Sequence, residues 1–216
     1  MRIDARRGLR LFAAGALALA TLSAPAFAIT QEESTALAAI SQKLDGLRTM
    51  NGEFIQFGPT GQKSQGKFYI ARPGRILFDY DPPSRLTVRS DGESVLVQDA
   101  SLKTDDLWPL SKTPLKFLLD IGLNLTRSDK VRGVAVESDL IQVTIVDDAQ
   151  FGGGTLTLFF DPSSYELRQW TVRDAQGLDT TVVLYNVETG RSLSPDLFKI
   201  NYSAITNRAR ERSLRD

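Results

Sequence analysis

Cysteine and histidine are both absent from the 216 residues. Without cysteine there is no disulfide and no thiol nucleophile, and no N-terminal residue to which a lipid could be attached after export. Stability must come from packing and backbone pairing alone. Without histidine, the usual Ser-His-Asp machinery and the common zinc ligand sets are also excluded. Charge of one sign is lacking too: Lys and Arg number 26, as do Asp and Glu. Beyond the first 28 residues no apolar run is long enough to span a membrane, and methionine and tryptophan occur only twice each.

What is present begins with a leader. Arg2, Arg6, Arg7 and Arg10 precede an uncharged apolar run from Leu11 to about Leu22, Pro25 breaks it, and Ala26-Phe27-Ala28 offers small residues where a signal peptidase reads. This is the grammar of a cleavable secretory signal over residues 1–28. The rival reading is a membrane anchor, but a spanning helix needs about 20 apolar residues and this core is shorter. The Arg6-Arg7 pair is a weak sign of the twin-arginine route. Cleavage leaves residues 29–216, a single domain by length, with a net charge of about −3 that does not suggest a nucleic-acid binder.

One amphipathic helix opens this domain. Leu37, Ile40, Leu44 and Leu47 recur at steps of three and four, with Asn51-Gly52 as the expected stop. The period then becomes two. Phe68 and Ile70 share a face, as do Ile76, Phe78 and Tyr80, then Leu86 and Val88, then Val95 and Val97. Asp91-Gly92 is a hairpin signal, while Pro73-Gly74 and Pro82-Pro83 punctuate earlier runs. Further strands read at about 133–137, 139–147, 154–161, 165–173, 178–187 and 197–202. Thr113-Pro114 predicts a capped second helix carrying Leu115, Leu118 and Leu119, and a short turn is expected over 124–129. The polar tail from Thr206 to Asp216, with Arg208, Arg210, Arg212 and Arg215, reads as frayed. The class is α+β, with an antiparallel sheet large enough to curl.

Candidate chemistry is sparse. Asp79 and Asp81 alternate with Phe78 and Tyr80, so they read as a solvated strand face rather than an acid–base pair. A hydrolase acting through either carboxylate is the weakest reading of the chain. Asp105-Asp106 and Asp147-Asp148 fall where strands end and lack calcium-loop spacing. Gly152-Gly153-Gly154 precedes a strand, not a helix, and reads as a turn or bulge rather than a phosphate cradle. The informative feature is the apolar supply: Phe54, Phe57, Phe68, Phe78, Tyr80, Trp108, Phe117, Phe159, Phe160, Trp170 and Tyr185 for one sheet and two helices. An ordinary packed core and a lidded apolar cavity both fit, and periodicity does not separate them.

Read in order, the pieces resemble the periplasmic outer-membrane lipoprotein carrier family of the LolA type. They are Phe54-x-Gln56, Gly66-x-Phe68, Arg72-Pro73-Gly74-Arg75, Phe78-x-Tyr80-x-x-Pro83, Ser90-Asp91-Gly92, Thr113-Pro114-Leu115 with Leu118-Leu119, and Phe198 in an expected late strand. The resemblance implies an unclosed β-barrel covered by a helical lid over an apolar cavity, with no catalysis, metal or cofactor. Arg72 matches the family arginine that bonds lid carbonyls and holds the closed form. Phe54, Phe68, Ile76, Phe78, Tyr80, Leu118 and Trp170 are the cavity-lining candidates.

The implied partners are acylated lipoproteins, an inner-membrane ABC-type lipoprotein exporter and an outer-membrane lipoprotein receptor, met by a monomer in the periplasm. A periplasmic lipid- or lipoprotein-sensing regulator of the same fold is the alternative. Two departures stand out: Ile76 where the family often has Phe, and an arginine-rich end in place of a Pro-rich closing stretch.

Overall fold

The computed structural model describes residues 29–146 and 154–214. The leader, Asp147-Asp148 and Gly152-Gly153 lie outside the described residues. Among the described residues no helix is long and apolar enough to cross a membrane.

Helix α1 covers Gln31–Gly46. It starts at a capping box: the Glu33 N–H donates to the Thr30 hydroxyl at 3.2 Å, and the Thr30 N–H donates to the Glu33 carboxylate at 2.7 Å. Its apolar stripe buries Ala36, Leu37, Ile40 and Leu44, as the spacing predicts. The expected stop at Asn51-Gly52 is displaced. The helix ends at Leu47, and Asn51 and Gly52 already belong to strand β1, Thr49–Phe57. Gly52 is needed there because a Cβ would sit 2.9 Å from the carbonyls of Tyr185 and Asn186. These flank a bulge in the partner strand, where Asn186 adopts φ +50°.

From β1 the chain runs as hairpins through β2 (Lys63–Ala71), β3 (Arg75–Tyr80), β4 (Leu86–Asp91), β5 (Ser94–Asp99) and β6 (Thr104–Pro109). A crossover follows, with a one-turn 3₁₀ helix at Leu110–Lys112 and α2 at Leu115–Leu119. A second meander completes the sheet: β7 (Val131–Val136), β8 (Ile141–Val146), β9 (Thr155–Phe160), β10 (Leu167–Arg173) and β11 (Asp179–Thr189). Every pairing is antiparallel, and the order is β6-β5-β4-β3-β2-β1-β11-β10-β9-β8-β7. The edge strands β6 and β7 are not paired with each other, so the sheet stays open. The crossover from Leu110 to Lys130 joins those two edges.

One face of the sheet packs under α1, α2 and the crossover to make the main core. The opposite face carries a smaller cluster, in which Ala71 and Leu77 receive Phe198. Phe198 was expected in a strand over 197–202. It sits instead in a 3₁₀ turn, Pro195–Phe198, where Pro195 cannot donate to a ladder and the Ser194 hydroxyl caps the turn. The tail expected to fray forms helix α3, Tyr202–Ser213. Side-chain anchors hold it: the Tyr202 hydroxyl donates to Asp91 at 2.7 Å, and Arg208 donates to both oxygens of Asp105 at 2.6 and 3.0 Å. Asp105 and Asp106 are the second and third residues of β6, near its start.

The expected cap at Thr113 also differs. Its hydroxyl donates back to the Leu110 carbonyl at 2.9 Å rather than accepting from α2.

Candidate ligand-binding interior and its latch

All seven residues read as cavity-lining come together in the main core cluster. Alternation on β1, β2, β3 and β10 points Phe54, Phe68, Ile76, Phe78, Tyr80 and Trp170 to the covered face, and α2 brings Leu118 down from above. The rings interlock. Phe54 meets Phe78 edge-on at 4.8 Å and Tyr80 at 4.9 Å, while Phe78 lies 6.1 Å from Phe68 and 5.9 Å from Trp170. Phe54, Phe68 and Ile76 have 0% exposure, so no water-sized void touches them.

One polar pair breaks the apolar surface. The Tyr80 hydroxyl donates to the side-chain carbonyl of Gln56 at 2.7 Å. Burial pushes the Tyr80 phenol up to about 12.

The cover over this interior has two parts that are tied together. On α1, Ser41 and Asp45 stand one turn apart and both accept from the crossover: Leu125 N–H to Ser41 Oγ at 3.0 Å, Gly122 N–H to Asp45 Oδ1 at 2.8 Å. The crossover supplies the buried side chains Leu110, Phe117, Leu118, Leu119 and Leu125.

The turn between β2 and β3 latches both parts to the sheet. Arg72 donates from Nη1 to the carbonyl of Leu44, in the last turn of α1, at 2.5 Å. Its own N–H bonds the Arg48 carbonyl at 2.8 Å, and the Gly74 N–H bonds the Leu119 carbonyl, at the end of α2, at 3.1 Å. Gly74 has φ +76°, and a Cβ there would lie 2.7 Å from Gly92 Cα in the next turn. Arg72 is 6% exposed, and its Nε and Nη2 are buried without a hydrogen bond. Burial lowers its pKa, opposed by the carboxylates of Asp45 and Asp120.

Of the sequence candidates, Arg72 and the seven apolar residues share one region. Asp79 and Asp81 are exposed and do not join it. Sequence reasoning missed Ser41, Asp45 and the contact between Gln56 and Tyr80. The i, i+4 spacing of two polar side chains beside the apolar stripe of α1 was the available signal for the first two.

An open antiparallel sheet whose covered face is largely apolar, under a two-part helical cover latched by one turn, defines a lidded half-barrel. The chain belongs to the LolA family: the family model "Outer membrane lipoprotein carrier protein LolA" matches residues 45–201. It is 27% identical over 181 residues to an outer-membrane lipoprotein carrier protein of Methylococcus capsulatus, covering 80% of this chain and 86% of that one. A carrier protein of the same name from Pseudomonas putida is 26% identical over 211 residues, covering 90% of this chain and 95% of the other. Among solved structures, a LolA superfamily protein from Nitrosomonas europaea is similar with 12% identity and a TM-score of 0.40, covering 76% of this chain and 97% of that chain. Helix α3 begins beyond the matched residues.

Proposed function

We propose that the protein is a periplasmic chaperone that carries the acyl chains of lipoproteins from the inner to the outer membrane in the interior between sheet and lid. Residues 1–28 direct its export. An inner-membrane ABC-type exporter loads it and an outer-membrane receptor unloads it, and the monomer acts without catalysis or cofactor. The observation that carries this reading is the contrast between a large apolar interior and the small set of hydrogen bonds that latch its cover, from the Arg72–Gly74 turn, from Lys43 to Glu166 and from the Leu110 N–H to the Glu93 carbonyl.

Magnitudes support the contrast. A buried methylene is worth about 0.8 kcal/mol, so one chain of roughly 15 methylenes prefers an apolar phase by about 12 kcal/mol. A latch hydrogen bond contributes about 0.5–3 kcal/mol, the upper end applying to the charged donor. Cargo therefore supplies far more free energy than opening the latch costs. The mutual contacts of Phe54, Phe78 and Tyr80 lower the cost of releasing cargo, because the rings can cover one another when it leaves. Arg72 controls the lid, and Phe54, Phe68, Ile76, Phe78, Tyr80, Leu118 and Trp170 line the space that opens.

The test is native mass spectrometry of protein purified from periplasm, paired with transfer from inner membranes supplied with the exporter and ATP. Stoichiometric acylated lipoprotein is the expected result. A protein that is empty and draws nothing from those membranes would overturn the carrier reading in favour of a sensor of the same fold.

A further inference from the structure

Gln56 and Tyr80 form the polar point of an otherwise apolar interior, and their place in the sheet gives it a use. On β1 the latch end is Thr49, paired with Ala71 next to Arg72. Gln56 lies seven residues further along the strand, about 23 Å away at 3.3 Å per residue. Near the latch Leu44 is 5% exposed and Ile76 and Leu119 are 0% exposed, while Leu47, Leu115 and Leu123 around them are partly buried. At the opposite end the inward residues Leu86, Val97 and Val172 are only partly buried, and so is Gln56. Gln56 therefore stands at a rim of the interior that reaches solvent.

The pair is also oriented. Tyr80 is 8% exposed, with its ring held edge-on against Phe54. Its hydroxyl donates to Gln56 Oε1, which turns the amide so that the Nε2 hydrogens face away from Tyr80. Gln56 Nε2 donates no hydrogen bond among the described residues. Val182 stands beside it on β11, and Trp170 stands beside Val182 on β10, so a directed donor sits at the edge of a ring-lined surface.

An acyl anchor poses a matching problem. Its methylenes prefer the interior, but the ester or amide carbonyl where each chain begins loses water on entry and must find a donor. We propose that Gln56, positioned by Tyr80, is the subsite for the carbonyl of a bound acyl chain. The pair thereby selects ester- or amide-linked chains over plain hydrocarbon of equal length. This rests on the carrier reading given above.

The test compares two synthetic lipopeptides with identical chains, one linked through esters and the other through ethers that lack the carbonyl. Affinities are measured for the wild type, Tyr80→Phe and Gln56→Met. Tyr80→Phe keeps the ring that packs on Phe54, and thermal melts check that Gln56→Met is folded. The wild type is expected to bind the ester probe about five- to tenfold more tightly, the factor one net hydrogen bond supplies. Both substitutions should bring the ratio of ester to ether affinity down to about one. Equal wild-type affinity for the two probes, or variants that weaken both alike, would overturn the subsite while leaving the carrier reading intact. A wild type that binds neither probe would remove the carrier reading, and the subsite with it.

Discussion

Arg72 donates through Nη1 to the carbonyl of Leu44, yet two other nitrogens of the same guanidinium are buried without a partner. The contact closes α1 onto the sheet at the cost of an incompletely satisfied charge. Losing the charged hydrogen bond costs about 1.5–3 kcal/mol and stranding the Leu44 carbonyl about 1–3 kcal/mol more, while removing the two buried unsatisfied nitrogens returns about 1–3 kcal/mol each. Arg72→Leu should therefore leave global stability within about 1 kcal/mol of the wild type, because these terms nearly cancel. It should nevertheless speed hydrogen exchange in α1 and change lipoprotein loading or release. Unchanged transfer kinetics would remove Arg72 from control of the lid.

The bonds from Gly122 and Leu125 to Asp45 and Ser41 join α1 to the crossover. Ser41→Ala leaves the N–H of the fully buried Leu125 without its acceptor, a loss of about 1–3 kcal/mol. Hydrogen exchange should then quicken around residues 121–125 while the β1–β2 pair stays protected. Asp45→Asn keeps an acceptor oxygen and should behave much like the wild type, whereas Asp45→Ala should not. Equal effects of both changes at Asp45 would point to charge rather than the hydrogen bond.

Helix α3 is held to β6 through Arg208 and Asp105, whose carboxylate also accepts from Gln98 at 2.7 Å. The Asp105 side chain is only 7% exposed, but that of Arg208 is 41% exposed, so the pair is partly screened. Arg208→Ala should cost about 1–2 kcal/mol, less than a fully buried pair would. Limited proteolysis should then cut α3 before the sheet. A melting temperature unchanged in low salt would show that the helix is not bound through this contact.

Acid should release the other anchor of the tail. Partial burial pushes the Asp91 carboxyl up, but the N–H groups of Ser94 and Glu93 and the Tyr202 hydroxyl outweigh it and hold its pKa below the usual range. A carboxyl depressed in the folded state contributes stability above its unfolded pKa of about 3.9 and loses it as pH falls through the lower folded value. Above about pH 5, Tyr202→Phe should show no change in pH dependence relative to the wild type. Below about pH 4 the wild type should lose stability faster than the variant, in chemical denaturation across that window. Parallel curves would remove Asp91 as the titrating group.

Most of the sheet was readable because inward residues on β2, β3, β8, β9 and β11 alternate cleanly, and Asp91-Gly92 turns where the dipeptide predicts. Strand β6 was not readable. It is an edge strand, so Asp105 and Asp106 occupy positions that a central strand would give to apolar residues, and neither face shows an apolar alternation. Asn51-Gly52 read as a stop because turn chemistry and bulge chemistry use the same residues. The end of the chain was misjudged for a different reason: composition reports polarity, but α3 is held by partners on β4 and β6 that lie far away in sequence. At the site, Arg72, Phe54, Phe68, Phe78, Tyr80 and Leu118 belong to the ordered motifs, whereas Ile76 and Trp170 are legible only as apolar strand residues. The bond between Gln56 and Tyr80 depends on strand register, which no local pattern carries.

The strand order has a consequence for how the molecule is made. All pairings but one join neighbours in the chain, so the strands before the crossover and those after it can each zip up hairpin by hairpin. Only the β1–β11 pairing joins the two half-sheets, bringing Phe54 opposite Leu184 across 130 residues of chain. Closing so long a loop is slow, and the last strand synthesised must find the first. Until it does, two half-sheets expose their apolar faces, so the period before that single seam closes is when the newly made chain is most prone to aggregate.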